Sequence, residues 1–202
     1  MKIVLPVFFV FVLFFPTGVF ACACCADAGF YSISAKKPGN VELEELRKIR
    51  FAAVADVFAN AGFPDNVKGI NPIGESYSLS GSMQNKIWKF DFKDGAGKTG
   101  TPNLLKPLSM VDFAVDTRDG KDGGANSPLL YKEWRFKYRV QSASGIFQKG
   151  FAPGSEFFLV LQGRGNACTQ AGDFTDWRLE ITGKKAAYAF FGKLDSGKNA
   201  AR

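Results

Sequence analysis

Cysteine offers this chain its most distinctive chemistry. Cys22, Cys24 and Cys25 crowd together directly after an apolar run, and Cys168 stands alone in "GRGNACTQAGDF". Such thiols can pair as disulfides, hold a metal, or carry a lipid. Exported proteins meet an oxidising environment in which thiols usually pair. Cys168 is the only distant partner, so a bond from Cys24 or Cys25 to Cys168 is expected. It would tie the start of the exported chain to a late loop. In the chain-entropy picture closure of so long a loop stabilises by about 5 kcal/mol at most. Residue order does not choose between Cys24 and Cys25.

A metal site would need thiolates converging on one ion. Cys24 and Cys25 are adjacent, whereas structural zinc usually takes pairs separated by two or more residues. The chain has no histidine, so the commonest metal ligand and general base is missing. No metal and no cofactor are expected. Cys168 as a nucleophile would lack a base, and a disulfide would consume its thiol.

Carboxylates give no clearer catalytic pattern. "DTRDGKDGG" spaces Asp116, Asp119 and Asp122 three apart, whereas calcium loops space acids two apart and close on a Glu. "DFKDGAGKTG" lacks the Walker glycine spacing. Both are expected to be turns. Glu133 stands in a basic, aromatic strand, where pairing with a Lys or Arg of a neighbouring strand is the simplest role.

The N-terminus reads as an address. Lys2 precedes an apolar stretch from Ile3 to Phe15, Pro16 and Gly18 break it, and Val19-Phe20-Ala21 suits cleavage before Cys22. Residues 1–21 are expected to be a signal peptide. Ala21-Cys22-Ala23 offers a second cleavage site, and a retained apolar anchor is the rival reading. Lipidation of Cys22 is a further reading, against which the bulky Phe20 counts. Removal of residues 1–21 takes away one lysine and leaves 25 basic against 19 acidic residues, a net charge of +6. That favours anionic envelope components or a membrane surface over neutral ones. No Lys/Arg run exceeds two residues, so nucleic acid is not an expected partner.

The elements that must position these groups alternate with period two. In "YKEWRFKYRV" Trp134, Phe136, Tyr138 and Val140 face one way, and Arg135, Lys137 and Arg139 the other. The first set is expected inside; the second is the candidate anion-facing row. "KIWKFDFKD" and "DWRLEIT" repeat the scheme with Trp88 and Trp177 inward. "MVDFAVD" is expected to bury Val111, Phe113 and Val115 and to expose Asp112 and Asp116. "EFFLVLQG" and "AAYAFFGKL" are apolar on both faces and read as central strands. Weaker strands fit "FYSISA" and "SYSLSG", and "TGKK" fits a hairpin turn. "NVELEELRKIRFAAVADVFANAG" carries helical spacing that Asn40 would cap and Gly62 would stop, but its second half also alternates, so a short helical turn near 41–46 and a strand from about 48 to 58 are expected.

Together these patterns predict an all-β chain, an antiparallel sandwich or barrel of eight to ten strands. Residues 22–195 would form a single domain, followed by a polar tail, 196–202. The expected function is a non-catalytic binding or structural module, exported to the periplasm or secreted, with or without a lipid anchor. A carrier of a small apolar ligand or lipid in an aromatic-lined cavity is one alternative. A secreted carboxylate-dependent hydrolase is the other.

Overall fold

The computed structural model describes residues 26, 29–58, 67–70, 76–84, 87–117 and 130–195. The expected signal peptide, Cys22, Cys24, Cys25, Gly62, Asp119, Asp122 and the tail 196–202 lie outside them. The described chain is all-β with one short helix. Its elements are β1 (Tyr31–Lys36), α1 (Asn40–Lys48), β2 (Val54–Phe58), β3 (Ser76–Gln84), β4 (Ile87–Lys93), β5 (Thr99–Leu104), β6 (Ser109–Asp116), β7 (Leu130–Tyr138), β8 (Val140–Gly145), β9 (Glu156–Gly165), β10 (Phe174–Thr182) and β11 (Ala187–Lys193). A 3₁₀ turn at Ala171–Asp173 precedes β10. Among the described residues no helix is long and apolar enough to cross a membrane.

All eleven strands join one antiparallel sheet in the order β1-β6-β7-β9-β10-β11-β2-β3-β4-β5-β8. Only Arg139 separates β7 from β8, yet these strands sit far apart in that order. The sheet must therefore curl. Main-chain bonds from Leu105 N–H to Arg139 O (3.0 Å) and Leu108 N–H to Lys137 O (2.8 Å) tie the β5–β6 connection to the end of β7.

Curling encloses an aromatic core. Trp88, Phe90 and Phe92 of β4, Trp134 and Phe136 of β7, Trp177 of β10 and Phe190 of β11 are all buried, as their alternation predicts. Phe51, bridging to Leu194 outside the main strands, fills the middle. Its ring meets Trp88, Phe90 and Trp177 edge-on at 5.1–5.2 Å. Phe92 and Phe190 lie 4.2 Å apart between centroids. Such packing gives each ring a large apolar burial plus a favourable edge-to-face term.

Several expectations are corrected. The helix runs to Lys48 and the following strand covers only Val54–Phe58. Arg50 caps the helix end by donating to the carbonyls of Arg47 and Ile49, which leaves Ile49 and Phe51 to plug the core. Gly39, rather than Asn40, precedes the first helical residue, and its N–H donates to Glu42 Oε2 at 2.9 Å. The "KDGAGKTGTPN" segment is only partly a turn. Residues 94–98 form it, closed by Asp94 N–H to Lys98 O at 2.9 Å, and Thr99–Leu104 is a strand despite Gly100 and Pro102. Gly100 belongs there because Ile146 and Phe147 lie against it, where a Cβ would stand. β8, "VQSASG", is the other strand that its polar composition hid.

The largest correction concerns β6. Register puts Val111, Phe113 and Val115 in the rows of Arg135, Glu133 and Tyr131, on the outer face of the sheet. Asp112 shares a row with Trp134 and faces inward, accepting the indole Nε1–H at 3.1 Å. Near the sheet's margin the inner side is polar: Lys36 Nζ also lies 3.9 Å from Asp112. An apolar set is buried only where a partner covers it, and on this strand the partner lies on the other side.

Candidate functional site

The outer face carries two adjoining regions. The first is apolar. Tyr31 and Ile33 of β1 stand in rows with Val115 and Phe113 of β6, and the Phe113 ring touches Tyr31 (5.7 Å) and Tyr131 (6.1 Å) edge-on. Tyr31 is 62% and Ile33 59% exposed; Val111, Phe113 and Val115 are half-buried. Contiguous exposed apolar surface of this kind marks interaction sites in soluble proteins, whereas single exposed residues do not.

The second region is an ionic lattice over β7, β9 and β10. Arg135 reaches Glu180 with both terminal nitrogens, at 2.5 and 3.3 Å, and Arg178 bonds the same carboxylate at 2.6 Å. Both arginines flank Val160, which is completely buried. Lys137 pairs with Glu156. Arg135 also stacks over Phe158, 4.4 Å from its centroid. Two of the three cations expected to face an anion are thus already matched by carboxylates. Arg139, between β7 and β8, is exposed.

Between the regions, Glu133 accepts from Tyr131 Oη (3.0 Å) and from Gln162 Nε2 (3.0 Å). No ion pair of Glu133 occurs among the described residues, so the expected partner of Glu133 is corrected from a cation to a phenol and an amide. Burial, then the hydrogen bond to Glu133, pushes the Tyr131 phenol above its ordinary range. It stays a donor at neutral pH.

The inner side holds Cys168 in place. Lys132, in phase with Trp134, is buried and forms a 2.7 Å ion pair with buried Asp173. Its ammonium also donates to the carbonyl of Cys168, and Cys168 N–H donates to Asn166 Oδ1 at 2.8 Å. A Cβ at Gly165 would overlap the Asp173 carboxyl, so that glycine makes room for the pair. Removing one partner of such a buried pair costs about 3–5 kcal/mol, because the other charge is left unmatched. The in-phase spacing of Lys132 and Trp134 was a visible signal for this inward lysine, and Tyr31-Ser32-Ile33-Ser34-Ala35 carries the same period-two signal for the apolar edge.

Two of the surface hollows are lined by described residues. One, of about 430 Å³, lies between the end of α1 and the 3₁₀ turn and includes Glu45, Arg50, Gln170 and Asp195. The other, of about 470 Å³, lies beside Lys98, Ile146 and Lys149. Among the described residues no three Cys, Asp or Glu side chains gather as metal ligands. No protein-family model matches this chain, and searches of curated proteins and of solved structures found no match.

Proposed function

We propose that the chain is an exported, non-catalytic binding or structural module of the cell envelope, stapled by a disulfide from Cys24 or Cys25 to Cys168. It meets its partner through the outer face of β1, β6 and β7. The observation that carries this reading is the outward apolar set of Tyr31, Ile33, Val111, Phe113 and Val115, a patch that a sheet packed for stability alone would turn inward. The aromatic-filled interior favours surface recognition over carriage of a ligand within the sheet. The staple is supported by the buried Lys132–Asp173 pair, which fixes the loop that carries Cys168.

The test is the intact mass of the protein recovered after expression with its own N-terminus, before and after reduction and alkylation. The expected product lacks residues 1–21, with any lipid on Cys22 as added mass, and Cys168 alkylates only after reduction. A product that retains residues 1–21, or a Cys168 that alkylates without reductant, overturns the reading.

A further inference from the structure

We infer that β1 pairs with β1 of a second copy, antiparallel and centred on Ile33, so that two chains share one continuous sheet. The inference rests on the outer face as the contact surface and adds the identity of the partner.

Hydrogen-bond parity supplies the first argument. Asp116 N–H donates to Phe30 O at 2.8 Å, and β1 keeps one unshifted register with β6 from Tyr31↔Val115 to Lys36↔Met110. In an antiparallel ladder alternate residues bond the same neighbour. Phe30, Ser32, Ser34 and Lys36 therefore direct their main-chain groups to β6. Tyr31, Ile33 and Ala35 direct theirs to the side on which no described strand pairs with β1.

Pairing centred on Ile33 places Ile33 opposite Ile33 of the second copy and Tyr31 opposite its Ala35. All six outward groups of each edge then find partners. The same rows carry the outer face across the junction. Phe113 and Ile33 of one copy would continue into Ile33 and Phe113 of the other, and Val115 and Tyr31 into Ala35 and Val111. The two apolar patches become one, and their exposed edges cover each other.

Charge favours a second copy over a charged peptide. Within "YSISAK" the only charge is Lys36. In the centred register it lies opposite Phe30 rather than opposite itself, so no like charges meet. Lys36 already pairs with Glu42, so a charged peptide would find no unmatched complement within β1.

The other end of the sheet explains why the assembly would close at two copies. β8 has a register shift at Asn103/Leu104 and ends in Gly145, whose φ is +59°. Irregular, twisted edges of this kind resist further pairing. Only β1 is regular, and one self-complementary edge generates a two-fold dimer rather than a filament.

The experiment is sedimentation equilibrium of the mature, oxidised chain over a range of concentrations. Ile33→Pro and Ile33→Lys are compared with the unsubstituted protein. Proline at position 33 removes an N–H that points away from β6, so the fold should survive, as circular dichroism would show. Lysine sets two like charges opposite one another and serves as the second variant if proline perturbs β1. The expected result is a dimer whose dissociation constant rises about tenfold or more in either variant, a change of about 1.4 kcal/mol or more. A chain monomeric at every concentration, or a dimer indifferent to both substitutions, overturns the inference. So does a monomer that instead binds an extended heterologous peptide along β1. In each case the mass result on cleavage and the staple stands separately.

Discussion

β6 and β7 lie side by side and both alternate apolar with polar residues, yet they present opposite sets to the core. In β7 Trp134 and Phe136 are buried while Arg135 and Lys137 lie outside. In β6 Asp112 points inward while Val111, Phe113 and Val115 lie outside. β7 sits under Phe174 and the rest of the aromatic core, with the Trp134 and Phe174 centroids 4.7 Å apart. β6 sits one strand closer to the margin, where the inner neighbours are Lys36 and the Trp134 indole N–H. Alternation separates two sets of side chains. Which set is buried depends on what the adjacent strand and the margin place above each row.

Substitution of one phenylalanine from each strand gives the largest expected contrast. Phe136→Ala should lower unfolding free energy by about 3–5 kcal/mol, since it empties a fully buried site. Phe113→Ala should cost less than about 1 kcal/mol, because its ring keeps one side in water. Urea unfolding of the two variants measures the difference, and equal losses would contradict the assignment of Phe113 to the outer face. Asp112→Ala comes next in size. It deprives the buried Trp134 N–H of its acceptor and should cost about 1–3 kcal/mol. Were Asp112 a solvated outer residue, the same change would leave the unfolding midpoint where it was.

The contrast also marks what was legible in the sequence. Alternation alone places Trp88, Trp134 and Trp177 inside, because long strands with aromatic residues on one side and charges on the other admit one burial. β6 defeats the same rule, because alternation carries no information on register against a neighbour. β5 was hidden by Gly100 and Pro102, whose strand role comes from close packing and not from propensity. The candidate patch was half visible. "YSISA" alternates, but nothing local says that Tyr31 and Ile33 extend the rows of Val115 and Phe113, which lie far along the chain. The Lys132–Asp173 pair joins residues 41 positions apart, beyond the reach of any local pattern.

The contact between α1 and the 3₁₀ turn gives the smallest prediction. Glu45 of α1 accepts the main-chain N–H of Ala171 at 2.7 Å and thereby fastens the helix to the 3₁₀ turn after Cys168. The hydrogen bond from Lys48 holds its carboxyl below the ordinary value of 4.5; burial opposes the shift, and the Ala171 N–H and the Lys48 charge add to it. A carboxyl depressed in the folded state binds fewer protons than it does unfolded. Its contribution is present above the ordinary glutamate range and is lost as pH falls through its folded value. Glu45→Gln removes the charge and keeps the shape. At neutral pH it should cost less than about 1 kcal/mol, as partly solvated pairs do. As pH falls through the depressed folded value of this carboxyl, the unfolding curves of the variant and the unsubstituted protein should converge, because both then carry a neutral side chain at position 45. A gap that persists unchanged through that window would mean that the helix is held at the margin by the packing of Leu46 and Ile49 and not by the Glu45 carboxylate.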